Sequence, residues 1–157
     1  MSSRNADFDL PGRLDHSQMQ KLLGYNIAQA SIPTSRIFQQ SLGGPLGVSQ
    51  IEYTILVLIH SNPGATGKQL CQSLDTTAAR MSLLLDRMAD RGWMTKAQST
   101  DDKRSFHLNL TAAGTQFVSR ALEVAEGMER DLLAHLTKAE QAILMELLRK
   151  VANQRPT

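Results

Sequence analysis

Apolar residues recur every three or four positions along most of the chain, which is the spacing of helices that bury one face. This pattern predicts helices over residues 16–42, 50–60, 67–74 and 78–91, over about 25 residues after Thr111, and over 138–153. The first helix is expected to be kinked or broken near Pro33, because proline lacks an amide hydrogen and clashes with the preceding turn. Several helix starts show a capping residue followed three positions later by Glu or Gln: Asp15 with Gln18, Ser49 with Glu52, Thr66 with Gln69, and Thr137 with Glu140.

The period of the pattern changes to two after Trp93. Phe106, Leu108 and Leu110 alternate with polar residues, as in a strand with one buried face. A polar, charged stretch over residues 98–104 precedes this strand, so the pattern predicts two short strands joined by a charged tip. The expected fold class is therefore mostly α with a small β-hairpin.

The order of these elements predicts a domain organisation. Two short helices joined by a tight turn and followed by a hairpin form a winged helix-turn-helix, expected over residues 63–111. The helices on either side, in residues 14–62 and 112–153, are richer in Leu, Ile and Met than a small winged domain needs for its own cover. These N- and C-terminal helices are therefore predicted to form a dimerisation domain, and residues 1–13 a flexible tail.

The composition and the charge distribution limit the kinds of partner that this chain is expected to bind. The chain has 157 residues, of which 41% are hydrophobic and 20% charged, which is typical of a globular protein. The longest apolar run has five residues, so no membrane partner is expected and the predicted location is the cytoplasm. The net charge of +2 comes entirely from residues 63–110, which hold seven basic and five acidic side chains. This middle segment is the expected contact with a polyanion.

The sequence offers little for catalysis or metal binding. The single cysteine, Cys71, is expected to be a small core residue rather than a thiol sensor, and the four histidines lack ligand spacing. No catalytic motif or phosphate-binding glycine loop is present. We therefore expect no catalytic residue, no metal, no cofactor and no enzyme activity.

Two stretches resemble the MarR family of transcriptional regulators. Residues 84–94, LLDRMADRGWM, are similar to the family's L-D-R-L-x-x-x-G followed by two hydrophobic residues. Asp101 to Arg104, followed by LNLTAAG at 108–114, resemble its wing and the junction of the wing with the next helix. The resemblance covers about residues 16–153. It implies a homodimer that binds a pseudo-palindromic operator in double-stranded DNA, most often a repressor released by a small aromatic acid or phenolic effector.

The resemblance also implies DNA contacts. In the second helix of the motif, Arg80 suits a guanine and Thr77 and Ser82 suit phosphates or base edges, while Thr66 and Lys68 sit at a helix start that attracts phosphate. Arg104 would enter the minor groove with Asp102 orienting it. The full predicted set is Thr66, Lys68, Thr77, Ala78, Arg80, Met81, Ser82, Leu83, Arg87, Lys103 and Arg104, with Asp102.

Simpler interpretations of these residues stay open. Asp86 and Arg87 can each belong to a structural ion pair, and Lys103 and Arg104 can be an ordinary solvated turn. The predicted effector contacts are Met19, Leu23, Ile27, Tyr53, Val57 and His60, with Arg87 or Lys96 for a carboxylate. Each of them can equally be plain core packing.

Alternative functions also stay open. A winged-helix module that binds protein without specific DNA binding is the main rival, and an enzyme is a weaker one. Phosphate contacts make affinity fall steeply with salt, whereas an apolar protein interface does not, so salt dependence separates the first two.

Overall fold

The computed structural model describes residue 12 and residues 14–98 and 106–155, and it contains two compact units, residues 1–35 and 36–157. In the first unit the chain forms turns over residues 17–21, and helix α1, Leu23–Phe38, starts later than the predicted position 16. The reason is local, because the carboxylate of Asp15 accepts from the amide of Ser17 at 2.9 Å and closes a turn. A side-chain bond between His16 and Tyr25 also lies within this unit.

The helix is not broken near Pro33, since α1 continues through this residue, and the alternative of a kink stays a prediction. A proline removes a single backbone donor, and the hydroxyls of Ser31 and Thr34 donate to carbonyls of the same region, those of Ala28 and Ala30. The helix departs from regularity later, in a π-helical turn over Gln39–Gly43 that leads into the short helix α2, Gly44–Leu46. Gly47 then ends it with a φ of +61°, a conformation that favours glycine.

The helix before the predicted winged domain and the two helices within it form as expected. Helix α3 spans Gln50–Ser61, α4 spans Gly67–Leu74 and α5 spans Ala78–Asp90. The predicted capping boxes at Ser49 and Thr66 are confirmed, with both reciprocal bonds present in each. Their buried apolar faces meet in one core that also takes residues from the sheet and from the next helix: Ile55, Leu56, Ile59, Leu70, Met81, Leu84, Leu85, Met88, Met94, Leu108 and Val118.

The sheet contains the predicted hairpin and one strand that sequence analysis missed. Strand β1, Ala65–Thr66, pairs with β3, Phe106–Leu110, which pairs in turn with β2, Met94–Gln98, and all pairings are antiparallel. In the hairpin Met94 lies opposite Leu110, and Gln98 lies opposite Phe106 at the end nearest the tip. The two residues of β1 are too few to show an alternating pattern, so their pairing was not predicted.

The chain then forms two further helices, α6 over Ala112–Leu132 and α7 over Lys138–Ala152. Thr111 caps α6, and Thr137 caps α7 with the predicted capping box to Glu140. Helix α7 has no buried residue, and an apolar stripe on it is exposed: Ile143, Leu144, Leu147, Leu148 and Val151. Within the described residues no single helix has the length and apolar character of a bilayer span; one bent pair of successive helices reaches them by length and composition alone.

Candidate nucleic-acid interface

Helix α5 has two sharply different faces. Met81, Leu84, Leu85 and Met88 are buried in the core at 7% exposure or less. The other face is open to solvent, and its side chains are small, polar or charged apart from the large apolar Leu83: Ala78, Ala79, Arg80, Ser82, Leu83, Asp86, Arg87 and Asp90. This placement corrects one predicted DNA contact, because Met81 is only 1% exposed and packs inside the core, where it cannot reach a ligand. The remaining predicted contacts on α5 are exposed.

The turn between α4 and α5 is closed by local hydrogen bonds. Asp75 adopts a φ of +48° and its amide, like that of Thr76, donates to the carbonyl of Cys71, so α4 ends abruptly. Thr77 then caps α5, its hydroxyl accepting from the amide of Arg80 at 3.3 Å. Cys71 itself is half-buried against the core.

The start of α4 lies at the edge of the sheet, since Thr66 closes β1. The hydroxyl of Thr66 donates to the side-chain oxygen of Gln69 at 3.1 Å and accepts from its amide at 3.3 Å. Lys68 is exposed one position into the helix. Thr66 is thus occupied by its cap, whereas Lys68 is free of any ion pair among the described residues.

A buried carboxylate lies behind α5. Glu52 of α3 is 2% exposed, and its Oε1 lies 3.2 Å from Nη2 of Arg87. Its Oε2 accepts from the hydroxyl and the amide of Ser49, at 2.5 and 2.9 Å. Burial raises the pKa of Glu52, but these hydrogen bonds and the charges of Arg87 and Arg91 outweigh it, so the pKa lies below its ordinary value. Glu52 is therefore an anion that ties α3 to α5.

The sequence pattern identifies Glu52 only as a cap partner. A signal for its burial was present, because Glu52 shares one helical stripe with Ile55, Leu56 and Ile59 at spacings of three, four and seven. A carboxylate on such a stripe needs a cation. Which cation it meets depends on the tertiary fold, since Arg87 is 35 residues away in sequence.

Arg91 makes a second long-range contact that was not predicted. Its Nη1 donates to the carbonyl of Gly47 at 2.7 Å, and its guanidinium lies 3.9 Å from the centre of the Trp93 ring. Trp93 in turn stacks on Phe117 of α6, with ring centres 4.2 Å apart. This chain of contacts joins the loop before α3, the end of α5 and the start of α6.

The hairpin is fixed to α5 by another ion pair. Nζ of Lys96, on β2, lies 2.5 Å from Oδ1 of Asp86, and this hydrogen bond and charge hold the pKa of Asp86 below its usual value. Asp86 and Arg87 thus both belong to ion pairs, as the simpler interpretation of the sequence expected, each with a different partner. Helix α5 is thus held to the hairpin through Asp86 and to α3 through the adjacent Arg87.

The predicted wing-tip contacts Asp102, Lys103 and Arg104 lie outside the described residues. The predicted effector contacts are divided between the two units. In residues 1–35, Met19, Leu23 and Ile27 are exposed by 44 to 53%. In residues 36–157, Tyr53 and Val57 are half-buried and His60 is exposed. Burial, with the nearby charge of Glu129, raises the pKa of Tyr53.

None of these effector residues lines the concavity of about 500 Å³ between the end of α6 and the start of α7, which is bounded by Leu122, Ala125, Glu126, Glu129, Arg130, Leu133, Lys138 and Gln141. The effector contacts remain a prediction.

Part of the chain matches a known protein family, and the chain is similar to known transcriptional regulators. Residues 48–106 match the model of the MarR family, a stretch that runs from the residue before the cap of α3 into β3. Over this segment the chain resembles the MarR family. Relatives include a transcriptional regulatory protein for the hcr operon of Thauera aromatica, 26% identical over 149 residues, which are 95% of this chain and 89% of the relative. The transcriptional regulator HosA of Escherichia coli is 28% identical over 65% of this chain and 76% of its own length.

Solved structures of transcriptional regulators share the fold of this chain. The transcriptional repressor CouR, bound to a 23-mer DNA duplex, matches with a TM-score of 0.82 at 25% identity, over 88% of this chain and 98% of CouR. A crystal structure of MarR matches with a TM-score of 0.76 over 96% of this chain and 94% of that structure; at 19% identity it supports the fold alone. The winged helix-turn-helix fold predicted from the sequence is thereby confirmed.

Proposed function

We propose that this chain is a transcriptional regulator that binds a pseudo-palindromic operator in double-stranded DNA as a homodimer, acts as a repressor and is released by a small molecule. The observation that carries the proposal is the exposed face of α5. It lies opposite the packed core, follows a tight capped turn and presents Ser82, Leu83 and Arg80, and Arg80 has no ion pair among the described residues. A helix of this kind is suited to the major groove.

The proposed contacts divide into two kinds. Arg80, Ser82 and Leu83 face the base edges, with Thr77 and Ala78 at the start of the helix. Lys68 meets the phosphate backbone beside Thr66, whose hydroxyl already caps α4. Arg87 is shared with Glu52, so it can offer only its outward N–H groups to a phosphate. Lys103 and Arg104, with Asp102, keep their proposed role at the minor groove.

Dimerisation is proposed through the helices outside the winged domain, in residues 14–62 and 112–153. Helix α7 exposes five large apolar side chains in one stripe, and such a surface is typical of an oligomer interface. Each recognition helix then needs a major groove on the same side of the duplex, which places the half-sites about 34 Å apart. CouR, whose structure contains a DNA duplex, supports this use of the fold.

The effector is proposed to be a small anion such as an aromatic acid. Both candidate cations, Arg87 and Lys96, are already paired with carboxylates of this chain. A carboxylate ligand at either residue would therefore compete with Glu52 or Asp86 and loosen the hold on α5. Release of DNA follows only if the ligand prefers this altered arrangement. A regulator of this kind acts on the chromosome, which places it in the cytoplasm, and needs no catalytic group.

Fluorescence anisotropy with duplexes selected from a random library tests the proposal. The expected result is tight binding at low salt, with the logarithm of affinity falling linearly with the logarithm of salt concentration. Sedimentation of the free protein is expected to show a dimer, and addition of benzoic or phenolic acids is expected to raise the melting temperature and release the duplex. A protein that binds no duplex in dilute buffer would contradict the proposal and favour the protein-binding alternative.

A further inference from the structure

Exposed large apolar side chains in the described part of residues 36–155 fall into two groups. Five of them lie on α7, the surface already proposed for dimerisation. The other two are Leu83 on α5, which is 66% exposed, and Phe106 on β3, which is 44% exposed. Only Leu83 lies on the helix proposed to enter the major groove, and it is the more exposed of the two.

The surroundings of Leu83 are polar, and they are engaged with each other. The hydroxyl of Ser82 lies 3.4 Å from Oδ2 of Asp86, to which it donates, while Oδ1 of Asp86 holds Lys96. Arg87, one turn further along, is turned to Glu52. The next two residues, Leu84 and Leu85, are 7% and 6% exposed, so the core is closed without Leu83. Leu83 thus stands as an apolar projection on a polar face, one turn after Arg80.

A partner that covers this face would bury Leu83 most favourably against an apolar group of its own. In the major groove of DNA the base edges carry one methyl group, the C5-methyl of thymine, among hydrogen-bond donors and acceptors. We propose that Leu83 is a specificity-determining residue that packs against a thymine methyl in each half-site. The inference rests on the proposed function, since it requires α5 to lie in the major groove.

The helix geometry also places this thymine. Leu83 follows Arg80 by three residues, so the two side chains are neighbours on the helix surface, displaced by about 4.5 Å along its axis. Base pairs are spaced by about 3.4 Å. The thymine therefore lies one or two base pairs from the base that Arg80 contacts.

The test removes the methyl group without changing base pairing. Duplexes with 20 random base pairs are selected with the wild-type protein, and each thymine of the selected site is then replaced by deoxyuridine, in both half-sites together. At one position per half-site we expect affinity to fall about fourfold for each methyl removed, and so about 15-fold for the pair. The variant Leu83→Ala is expected to bind thymine and deoxyuridine duplexes equally, with a loss against the thymine duplex of at least the same size.

A matched control is Phe106→Ala, which removes the other exposed large apolar side chain outside α7 in the described part of residues 36–155. This variant is expected to retain the thymine preference. Because Leu83 is 66% exposed, its truncation is expected to leave the melting temperature nearly unchanged, which separates a loss of recognition from unfolding. If no duplex is selected at low salt, the proposed function itself fails. If a duplex is selected but no methyl matters, or if Leu83→Ala keeps the preference, the inference on Leu83 is overturned and the proposed function stands.

Discussion

Gly114 lies at the junction of the hairpin and α6, and replacing it by alanine tests this junction. A Cβ atom at position 114 would lie 1.8 Å from the carbonyl oxygen of Trp93 and 2.8 Å from its carbonyl carbon. Ordinary contacts begin at 3.4 Å, so residue 93 and the start of α6 would have to separate by about 1.6 Å. The obstacle is backbone on both sides, which cannot rotate away as a side chain can.

That separation would disrupt the contacts that close the junction. The amide of Thr111 donates to the carbonyl of Trp93 at 3.0 Å, and its hydroxyl donates to that of Gly92 at 2.6 Å. Each of these hydrogen bonds contributes about 1 kcal/mol. The stacking of Trp93 on Phe117 adds about 1 kcal/mol, and overpacking costs about 1–3 kcal/mol. Alanine regains about 1 kcal/mol of helix propensity, so we expect a net loss of about 3 kcal/mol or more for Gly114→Ala.

Urea unfolding followed by circular dichroism measures this loss, at one protein concentration because a dimer's stability depends on it. The same helix provides the control, Gly127→Ala. A Cβ there would meet only the Nη2 atom of Arg130, at an ordinary 3.6 Å, so this variant is expected to gain up to about 1 kcal/mol. Opposite signs for the two substitutions are the expected outcome. If both variants were stabilised, the carbonyl of Trp93 could not lie over Gly114 and the packing of α6 on the hairpin would be wrong.

The remaining predictions concern the buried anion and the DNA-binding residues. Because folding lowers its pKa, Glu52 stabilises the protein above about pH 4.5, the unfolded value, and this contribution is lost as the pH falls through the folded value. Glu52→Gln should therefore weaken the dependence of the melting temperature on pH at acidic pH. An unchanged dependence would contradict the assignment of Glu52 as a buried anion. Arg104→Ala should weaken binding to every duplex and reduce the salt slope by about 1 for each phosphate that is no longer neutralised, and an unchanged affinity would remove Arg104 from the interface. Arg80→Ala should cost about 1–3 kcal/mol and relax preference at one base pair per half-site, as read by a second duplex selection; equal losses on all sequences would show that Arg80 binds phosphate.

Helix starts that depend on neighbouring residues could be predicted from the sequence. Ser49, Thr66 and Thr137 cap their helices with the residue three positions later, a bond that forms within one turn whatever the rest of the chain does. Asp15 and Gln18 show the same pattern, yet the carboxylate of Asp15 is taken by Ser17 two residues on. The spacing alone does not show which of the possible local hydrogen bonds forms.

The contacts that hold α5 in place depend on the tertiary fold, and they were the part that sequence analysis missed. Glu52 needs a cation because it is buried on the stripe of Ile55, Leu56 and Ile59. Arg87 and Arg91 come close to this carboxylate only after α5 has packed on α3. The contact of Arg91 with Gly47 is of the same kind, since it joins residues 44 positions apart. The exposed face of α5, by contrast, was predicted well apart from Met81, because helix period fixes which side chains share a face.

The two ion pairs of α5 also constrain how an effector can act. Arg87 holds α5 to α3 and Asp86 holds it to β2, so the recognition helix and the hairpin are positioned relative to α3 through adjacent residues. Because Glu52 is 2% exposed and Asp86 is 57% exposed, displacing Glu52 leaves an unpaired carboxylate in the core, whereas displacing Asp86 leaves its carboxylate in water. An anionic effector therefore displaces Asp86 from Lys96 at far lower cost than Glu52 from Arg87. We therefore expect an effector that acts through one of these two cations to move the hairpin. The contact of α5 with α3 is expected to stay in place.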